Sequence, residues 1–410
     1  MNVRGFGYTN IGTVREDNED SYLVDEELAL FIVCDGMGGH VAGQVASQAT
    51  VDFVHKFISA GIGSVTDARS LKEKRAQMLS LVHGAIEAAC GSLYHKSLET
   101  HGRFRGMGTT ITLLIVQGDL AVVGHVGHSR LYLKRLGMMH QLTHDHTVAR
   151  AYLEQGLLTP EQFAKSVLKH TLTRSVGTQE HVQVECFPFE ILPGDVCFLC
   201  SDGASNSVGD PAELAELFDK IDIDTVAEVI GKTALRRDGS DNITCVTVSI
   251  ENVPENRDIQ ARRCSELNLK TETLLGVFLF RDFTLQELLA VLELVWVRDC
   301  EIGEIIVVEE TFGNQMFIIL EGTVAVQRQG NTIADLKAGN HFGEMALIQD
   351  APRSASVVAT EKSRLLFFDR DAFKQLVAKD KSLGVKLLQR MAEEFSARLR
   401  RTNEKLKEKE

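Results

Sequence analysis

The chain has 410 residues, of which 44% are hydrophobic, and a formal net charge of −13. This length predicts two or three domains with buried cores, and the acidity argues against binding to nucleic acid or to anionic membranes. No apolar run approaches the roughly 18 residues of a membrane span, and the first ten residues lack the apolar centre of a signal peptide. We therefore expect a cytoplasmic protein.

The first part of the chain, residues 1–252, mixes apolar strand-like runs with helical stretches. Leu28–Cys34 and Thr109–Val116 are typical of buried strands, and residues 72–98 have the spacing of a long amphipathic helix. Cys197 and Cys200 form a CxxC pair inside another predicted strand. Side chains three apart in a strand point to opposite faces, so we expect reduced core thiols rather than a metal site.

Carboxylates recur where the predicted strands of this part end. Burying such groups is unfavourable, and several that converge stay ionised only beside a cation. Oxygen donors suit Mg²⁺ or Mn²⁺, and two such ions can activate water and stabilise a phosphoryl group. Any one Asp-Gly pair could simply mark a turn, but the recurrence favours a site. The residues are Glu19, Asp20, Asp35, Asp202 and Asp241.

The stretch GHVGHSRLY (Gly124–Tyr132) places two histidines three residues apart. In a strand, His125 and His128 would point to opposite faces. We therefore expect no chelate between them, and we interpret His125 as a packed core histidine.

The second part of the chain begins after a polar linker, residues 253–274. Thr284–Val295 predicts a helix with a capping box formed by Thr284 and Glu287. The following short runs with glycine turns are typical of a jelly roll or barrel. A long helix closes the chain, and its apolar stripe either packs on its own domain or pairs with a second copy. The stripe comprises Leu383, Leu387, Met391, Phe395 and Leu399.

Residues 341–359 have the composition of a sugar-phosphate site. Gly343 opens a short helical stretch whose free amides suit an anion, and Arg353 would complete that anion site. The carboxylate of Glu344 would repel phosphate and is better matched to a hydroxyl donor. Together these groups suit a ribose cyclic phosphate, although an ordinary Glu–Arg ion pair is the simpler alternative.

Several motifs in the first part stand in one order: GTVREDNED, CDGMGGHVAGQVAS, GMGTTITLLIV, VGHSRLYL, LTHDHT, LCSDGAS and SDNITCV. This ordered set resembles the metal-dependent type 2C serine/threonine protein phosphatases, especially the bacterial branch. The resemblance implies a β-sandwich flanked by helices on both faces. It implies two Mn²⁺ or Mg²⁺ ions bridged by Asp35 and bound by the Gly36 carbonyl, with Glu19, Asp202 and Asp241 completing the shells. Asp20 would orient water, and Arg15 would bind the substrate phosphate.

The sequence departs from the family pattern in ways that bear on activity. His128 stands where the family has an aspartate that helps to hold a third metal ion, and a neutral imidazole suits Mn²⁺ or Zn²⁺ better than Mg²⁺. Met37 replaces a histidine proposed as a general acid in eukaryotic members, and His40 is a candidate substitute. Gln44 replaces a usual Glu. Residues 145–181 match the family's flap, a mobile segment beside the cleft, although a surface segment without a role in recognition is the alternative.

The second part, residues 275–410, contains a stretch that resembles cyclic-nucleotide-binding domains. By that resemblance Glu344 binds the ribose 2′-hydroxyl, and Arg353 binds the cyclic phosphate with amides near Gly343, Ala346 and Ala355. Ser354 stands where alanine is associated with cAMP and threonine with cGMP; serine fits either, and we favour cAMP.

The sequence as a whole predicts an α+β protein: a helix-flanked β-sandwich, then a β jelly roll with a long C-terminal helix. We expect a phosphatase that acts on phosphorylated proteins and is regulated by cAMP or cGMP, with a homodimer through the C-terminal helix as one option. The alternative is a pseudophosphatase that binds phosphoproteins without turnover, which His128 would favour.

Overall fold

The computed structural model describes residues 2–39, 41–66, 70–99, 104, 106–251, 257–379 and 381–407. His40, the candidate general acid, lies outside the described residues. The chain divides into two compact units, Met1–Gln260 and Ala261–Glu410, and the division falls inside the predicted linker. None of the helices described is both long and apolar enough to cross a membrane.

The first unit contains two antiparallel β-sheets. One has the strand order β1 (Asn2–Asn10), β11 (Ile243–Glu251), β10 (Val196–Cys200), β7 (Arg130–Arg135) and β8 (Met138–Gln141). The other has the order β2 (Asp20–Asp25), β3 (Leu30–Met37), β5 (Ile111–Gln117), β6 (Leu120–Val126) and β9 (Glu185–Glu190), with β4 (Gly108–Thr109) paired to β3.

The two sheets pack face to face because their strands are buried on both sides. Strand β3 alternates between two cores: Leu30 and Ile32 pack under helices, whereas Phe31 faces the other sheet. A Cβ atom at Gly5 of β1 would clash with the Phe31 ring, so glycine allows this close approach. Period-two alternation of apolar residues on both faces thus builds a sandwich with a central core and two outer cores.

Helices cover both outer faces of the sandwich, as predicted. Helices α1 (Val41–Thr66) and α2 (Leu71–Glu99) pack on the sheet that contains β3. Helices α5 (Asp202–Val208), α6 (Pro211–Lys220) and α7 (Val226–Arg237) pack on the sheet that contains β11. Between β8 and β9 lie α3 (Val148–Glu154), α4 (Pro160–Ala164) and a short 3-10 helix, Val167–His170. The predicted fold class is confirmed for this unit.

The second unit is a jelly roll of two four-stranded sheets. One has the order β12 (Trp296–Cys300), β19 (Ser363–Asp369), β14 (Gln315–Glu321) and β17 (His341–Phe342). The other has the order β13 (Ile305–Val307), β18 (Ser356–Ala359), β15 (Thr323–Arg328) and β16 (Asn331–Lys337). Phe317, Ile319, Val324 and Leu365 are among the residues buried between the sheets.

Helix α8 (Arg257–Gly276) begins before the division between the units and continues into this one. The other helices of this unit are α9 (Leu285–Leu292), α10 (Met345–Ile348), α11 (Arg370–Lys379) and α12 (Lys381–Lys407). The predicted capping box of α9 is present, since Thr284 accepts from the Glu287 amide and Glu287 accepts from the Thr284 amide. The predicted apolar stripe of α12 packs mostly on its own domain: Leu383, Leu387, Met391 and Phe395 join the helical core, and Leu399 is 62% exposed. Most of the apolar stripe is therefore buried by contacts within this chain.

All eight cysteines are free thiols. Cys197 and Cys200 lie in β10 and are fully buried, as expected for core residues. Cys200 stands opposite Cys245 across the β10–β11 ladder. Burial raises the pKa of the thiols of Cys34, Cys197, Cys200 and Cys245, so these groups stay protonated near neutral pH.

Candidate metal centre and nucleotide pocket

The predicted acidic residues converge at one end of the β-sandwich. Asp20 opens β2 and stands opposite Asp35 in β3. Asp202 is the first residue of α5, directly after β10, and Asp241 precedes β11 in the same sheet. A cavity of about 990 Å³ opens here, and its lining includes Arg15, Glu19, Asp35, Gly36, Asp202 and Asp241. Asp20 is buried behind it, 8% exposed.

The carboxylates of this cluster perturb one another strongly. Burial, followed by the charges of Asp20 and Asp202, raises the pKa of Asp35 well above its usual range. Burial raises the pKa of Asp20 to about 7, despite hydrogen bonds from Thr244 and Ser201. Burial also acts against ionised Asp202, but contacts with His170 and His128 outweigh it and lower its pKa to about 2. Without a cation, burial and mutual repulsion therefore disfavour the ionised forms of Asp35 and Asp20, whereas Asp202 is ionised near neutral pH.

This donor set fits divalent cations. Burial and neighbouring carboxylates favour the protonated forms of Asp35 and Asp20. A divalent cation bound in the cavity would favour the ionised carboxylates instead. Carboxylate and carbonyl oxygens are the ligands that Mg²⁺ and Mn²⁺ prefer. The side chains that would hold such ions are Asp35, Asp202 and Asp241, with the Gly36 carbonyl and Glu19 beside them.

Local hydrogen bonds hold the loop that carries Arg15 and Glu19. Asn242 accepts from the Glu19 amide at 2.8 Å and donates to the carbonyls of Ile11 and Asp17. Gly36 donates its amide to the Glu19 carbonyl at 3.1 Å, and a Cβ atom at Gly36 would clash with the Gly43 carbonyl. Sequence reasoning missed the positioning role of Asn242, although its motif SDNIT was noted.

Arg15 contacts the cluster from the side of Asp241. Its Nη2 lies 2.9 Å from Asp241 Oδ1 and 3.0 Å from Oδ2. The Arg15 side chain is 48% exposed, so part of the guanidinium faces the cavity. A guanidinium in this position suits bidentate binding of a phosphate.

His128 lies among the carboxylates rather than in a strand. Strand β6 ends at Val126, and Gly127 (φ +112°) turns the chain, so the expectation that His125 and His128 lie on opposite faces of one strand is wrong. His128 Nδ1 is 3.8 Å from Asp35 Oδ2, and Nε2 is 3.6 Å from Asp202 Oδ2. The turn aims this imidazole into the cluster.

His125 is a hydrogen-bonded core residue, as interpreted from the sequence. It is fully buried; Nε2 lies 3.0 Å from the His144 carbonyl and Nδ1 lies 2.9 Å from Thr112 Oγ1. Nearby His146 accepts from the Gly127 amide through Nδ1 and contacts Glu185 through Nε2. These bonds occupy the ring nitrogens of both histidines. The group His125, His146 and Glu185 is thus a hydrogen-bond network, although its spacing resembles a metal site.

The segment predicted as a flap lines the same cavity. Residues 172–175 and 178–179 contribute to its wall, and the segment is tied to the sandwich where Thr109 bridges Val176. His170, in the 3-10 helix, places Nδ1 3.5 Å from Asp202 Oδ2. The nearby Asp202 carboxylate raises the pKa of His170. Nothing in the sequence singled out His170, because its approach depends on how the whole segment folds.

The second unit contains an apolar cavity of about 680 Å³ with a polar end. Arg353 donates from Nη2 to the Gln315 carbonyl at 2.7 Å and from Nη1 to the Gly343 carbonyl at 3.3 Å. Glu344 is 4% exposed. Gly343 suits this position, because its φ is +78° and a Cβ atom there would lie 2.7 Å from Arg353 Nη1 and 2.9 Å from the Gln315 carbonyl oxygen.

The structure brings the predicted nucleotide-binding residues to this cavity. Its lining includes Gly343, Glu344, Ala346, Arg353, Ser354 and Ala355. Helix α10 has only four residues, so it contributes a single turn of amides. The lining also includes Gly276, Phe278 and, from α12, Glu394, which sequence reasoning did not include. Apolar walls with a partly buried arginine and a buried carboxylate suit a base joined to a sugar phosphate.

A helix-flanked β-sandwich with a carboxylate centre for divalent cations defines a metal-dependent phosphatase. The family model "Protein phosphatase 2C" matches residues 7–237, more than half of the chain, and the chain belongs to this family. The model "Cyclic nucleotide-binding domain" matches residues 297–380. Both resemblances inferred from the sequence motifs are thereby confirmed.

Similar proteins are bacterial serine/threonine phosphatases. The chain is 30% identical to protein phosphatase PhpP of Streptococcus pneumoniae over 246 residues, 59% of this chain and 95% of the relative. It is 33% identical to serine/threonine protein phosphatase PstP of Mycobacterium tuberculosis over 242 residues, 58% of this chain and 43% of the relative. The S. agalactiae serine/threonine phosphatase structure superposes with a TM-score of 0.53 at 32% identity, covering 61% of this chain and 100% of that one.

Proposed function

We propose that this chain hydrolyses phosphoserine and phosphothreonine monoesters in proteins and that a cyclic nucleotide, cAMP in preference to cGMP, regulates it. Residues 1–252 would be the phosphatase and residues 275–410 the nucleotide-binding domain. The observation that carries the catalytic part is the convergence of Asp35, Asp202 and Asp241 on one cavity, with the pKa of Asp35 raised by burial and by neighbouring carboxylates.

The metal ions would be held by Asp35, Asp202, Asp241, Glu19 and the Gly36 carbonyl. When bound, two divalent cations supply an activated water and neutralise charge on the phosphoryl group. The buried carboxylate of Asp20, bonded to Ser201 and Thr244, would fix the orientation of that water.

The chain's own contribution to substrate binding comes mainly from Arg15. Its guanidinium already lies at the cavity, held by Asp241, and would take two phosphate oxygens as a planar fork. The cavity is open and largely polar, and flap residues such as Thr173 and Ser175 line it. An open polar cleft of this kind suits a phosphorylated side chain on a protein surface better than a buried small molecule.

The nucleotide-binding part rests on Arg353 and Glu344. Arg353 donates to two backbone carbonyls, and its guanidinium would pair with the cyclic phosphate. Glu344, buried beside it, would accept the ribose 2′-hydroxyl. Ligand binding would bias the phosphatase by a coupling free energy of about 1–3 kcal/mol, the usual range for allosteric effects.

The test of catalysis is Asp35→Asn in the full chain, assayed with a phosphopeptide and Mn²⁺. Asparagine keeps the size but removes a charged ligand, and loss of several kcal/mol of transition-state stabilisation corresponds to a fall of roughly a thousandfold in kcat/KM. Asp224→Asn is the matched control, because Asp224 is an exposed carboxylate in the loop before α7. Full activity of Asp35→Asn would refute the catalytic assignment.

A second candidate function is favoured by one observation: His128 lies within 4 Å of both Asp35 and Asp202. An imidazole there could leave the domain as a binding module for phosphoproteins without turnover. His128→Asp separates the two functions. A modest change on an active wild type supports the phosphatase, whereas activity that arises only in the variant supports the binding module.

A further inference from the structure

Two cysteines stand directly opposite each other where β10 ends and β11 begins, beside the acidic cluster. Cys200, the last residue of β10, pairs with Cys245 of β11 in the antiparallel register. Asp202 follows Cys200 by two residues, and Asp241 precedes Cys245 by four. The pair therefore lies between the two chain segments that carry proposed metal ligands.

The hydrogen bonds of the ladder place the two cysteines at a point of close approach. The Ser201 amide donates to the Thr244 carbonyl at 3.0 Å, which makes those two residues a hydrogen-bonded pair. Cys200 and Cys245, one step along the ladder, therefore form a non-hydrogen-bonded pair, whose Cα atoms are about 4.5 Å apart. Disulfide bonds join cysteines whose Cα atoms are about 4.4–6.8 Å apart. The sheet thus brings the two cysteines within reach of a disulfide.

Both side chains point to the same side of the sheet. Cys200 and Cys245 are fully buried in the core that helices α5 and α7 cover. Burial raises the pKa of the Cys245 thiol, and the nearby Cys200 raises it further, as expected for adjacent sulfur atoms. Both cysteines are free thiols, so the structure holds the pair in its reduced form.

Cys197 provides a contrast within the same strand. It lies three positions before Cys200, so its side chain points to the opposite face of the sheet. Its partners across the two ladders are Val248 and Leu133, and it too is fully buried. Burial is therefore common to both cysteines of β10, and the opposing thiol distinguishes Cys200.

We propose that Cys200 and Cys245 are a site of reversible oxidation, at which hydrogen peroxide converts the two thiols into a disulfide that lowers phosphatase activity. The sulfur of one cysteine attacks a peroxide oxygen, the O–O bond breaks, and the other oxygen leaves as water with the thiol proton. The second sulfur then attacks the sulfenic acid so formed. The S–O bond breaks, the S–S bond forms, and a second water leaves with the second thiol proton. The two sulfurs together lose two electrons, which reduce the peroxide.

The disulfide would change the position of one strand end relative to the other. Cα atoms joined by a disulfide are most often about 5.5–6 Å apart, about 1 Å more than in a non-hydrogen-bonded pair. Closure of the bond would therefore shift the segment that leads into Asp202 against β11. A displacement of about 1 Å can lower the rate of catalysis about a hundredfold. This consequence rests on the proposed function, whereas formation of the disulfide does not.

The experiment is incubation of the full chain with hydrogen peroxide, removal of the peroxide, alkylation of free thiols in denaturant, and peptide mapping by mass spectrometry. The wild type should yield two peptides linked through Cys200 and Cys245, and dithiothreitol should separate them. Because both thiols are buried, peroxide reaches them only when this end of the sheet opens, so we expect the link to accumulate over hours. Hydrolysis of a phosphopeptide with Mn²⁺ should fall at least about tenfold as the link forms and should recover in dithiothreitol.

Two valine variants separate the pair from the other buried thiols. Cys245→Val should form no link and should keep its own untreated activity in peroxide, because valine fills the site without a second sulfur. Cys197→Val removes a buried thiol of the same strand and should respond to peroxide as the wild type does.

A wild type in which Cys200 and Cys245 both remain free after treatment would overturn the proposal, and so would a link that leaves the hydrolysis rate unchanged. Peptide mapping of the wild type requires no substitution, so it decides the matter even if Cys245→Val fails to fold. A chain that is inactive before treatment would refute the proposed function, and peptide mapping would still show whether the disulfide forms.

Discussion

His125 and His128 are three positions apart in the sequence, yet one imidazole is enclosed in the core and the other faces the acidic cavity. His125 is enclosed by Thr112, His144 and His146, and its ring is a permanent part of the core. His128 follows a glycine turn and faces the acidic cavity. The backbone conformation of Gly127, rather than the residue type, determines which histidine reaches the site.

The buried His125 should make stability depend on pH. Burial lowers its pKa from 6.5 to about 4, so the folded chain holds the ring neutral where the unfolded chain protonates it. Above pH 6.5 the His125 ring is neutral in both states, so its lowered pKa does not change the free energy of unfolding. As the pH falls from 6.5 to 4, the unfolded state gains a proton that the folded state does not bind, and the free energy of unfolding falls by about 3 kcal/mol.

Urea unfolding at several pH values between 4 and 7.5 tests this. His125→Gln should be less stable at pH 7.5, because it alters the core, but its stability should fall less steeply with acid. His95→Gln, at a side chain 59% exposed, should follow the wild-type slope. Parallel pH curves for wild type and His125→Gln would contradict the assignment.

At the residue scale, the sequence predicts a residue's place in the site where that place depends on its neighbours in the chain. In the sequence Asp35 and Asp202 come just after apolar runs, so their convergence could be inferred from the predicted strand ends, although β3 continues through Asp35 to Met37. His170 could not be found in this way, because it reaches Asp202 only through the fold of residues 145–181. The predicted orientation of His128 is wrong for a similar reason: the predicted strand runs through Gly127, whereas the positive φ of Gly127 follows the end of β6 at Val126.

At the scale of elements, a buried ion pair joins three strand ends of the sandwich. Arg135, at the end of β7, bonds Asp195 before β10 at 3.0 and 2.6 Å and donates to the Glu190 carbonyl of β9 at 2.8 Å. Asp195 also accepts from the Leu192 amide. Both side chains of the pair are less than 5% exposed, so the pair links the two sheets where water does not screen it.

Asp195→Ala should destabilise the first unit by about 3–5 kcal/mol, the usual cost of leaving a buried charge without its partner. Asp219→Ala breaks the neighbouring pair with Lys134, in which Asp219 is 59% exposed, and should cost at most about 1 kcal/mol. Urea unfolding monitored by far-UV circular dichroism measures the change in the free energy of unfolding for each substitution. Equal effects of the two substitutions would show that burial does not govern the strength of the Arg135 pair.

The elements themselves were largely predictable, since apolar periodicity and caps are local signals. The capping box at Thr284 and the apolar stripe of α12 are present as expected. The partner of the stripe was not predictable, because an apolar helix face packs equally well on its own domain or on another copy. In the structure this helix face packs on its own domain, as illustrated by Leu387, which is 1% exposed within a single chain.

At the scale of the whole molecule, the proposed metal site and the proposed nucleotide site lie in separate units, so binding at one can be linked thermodynamically to binding at the other. If nucleotide binding changes Mn²⁺ affinity by some factor, Mn²⁺ must change nucleotide affinity by the same factor. We expect a factor of about 5–150, corresponding to a coupling of about 1–3 kcal/mol. Calorimetric titration with cAMP, with and without saturating Mn²⁺, measures it directly.

Arg353→Ala should abolish nucleotide binding and with it any effect of cAMP on phosphatase activity, while basal activity persists. Arg328→Ala serves as the control, because Arg328 lies in the same unit with its side chain 68% exposed. Equal affinity for cAMP with and without Mn²⁺ would show that the two units bind their ligands independently. Retained binding by Arg353→Ala would refute the phosphate assignment.

Alkylation of the buried thiols can measure the rate at which each unit unfolds. Cys34, Cys197, Cys200 and Cys245 lie in the core of the first unit and Cys300 in that of the second. Because only a thiolate attacks alkylating reagents rapidly, and burial keeps these thiols protonated, native molecules should react slowly. Each modification then records an unfolding event, and mass spectrometry of the labelled peptides assigns that event to one unit. Comparing the labelling rates of cysteines in the two units thus shows whether the units unfold together or separately.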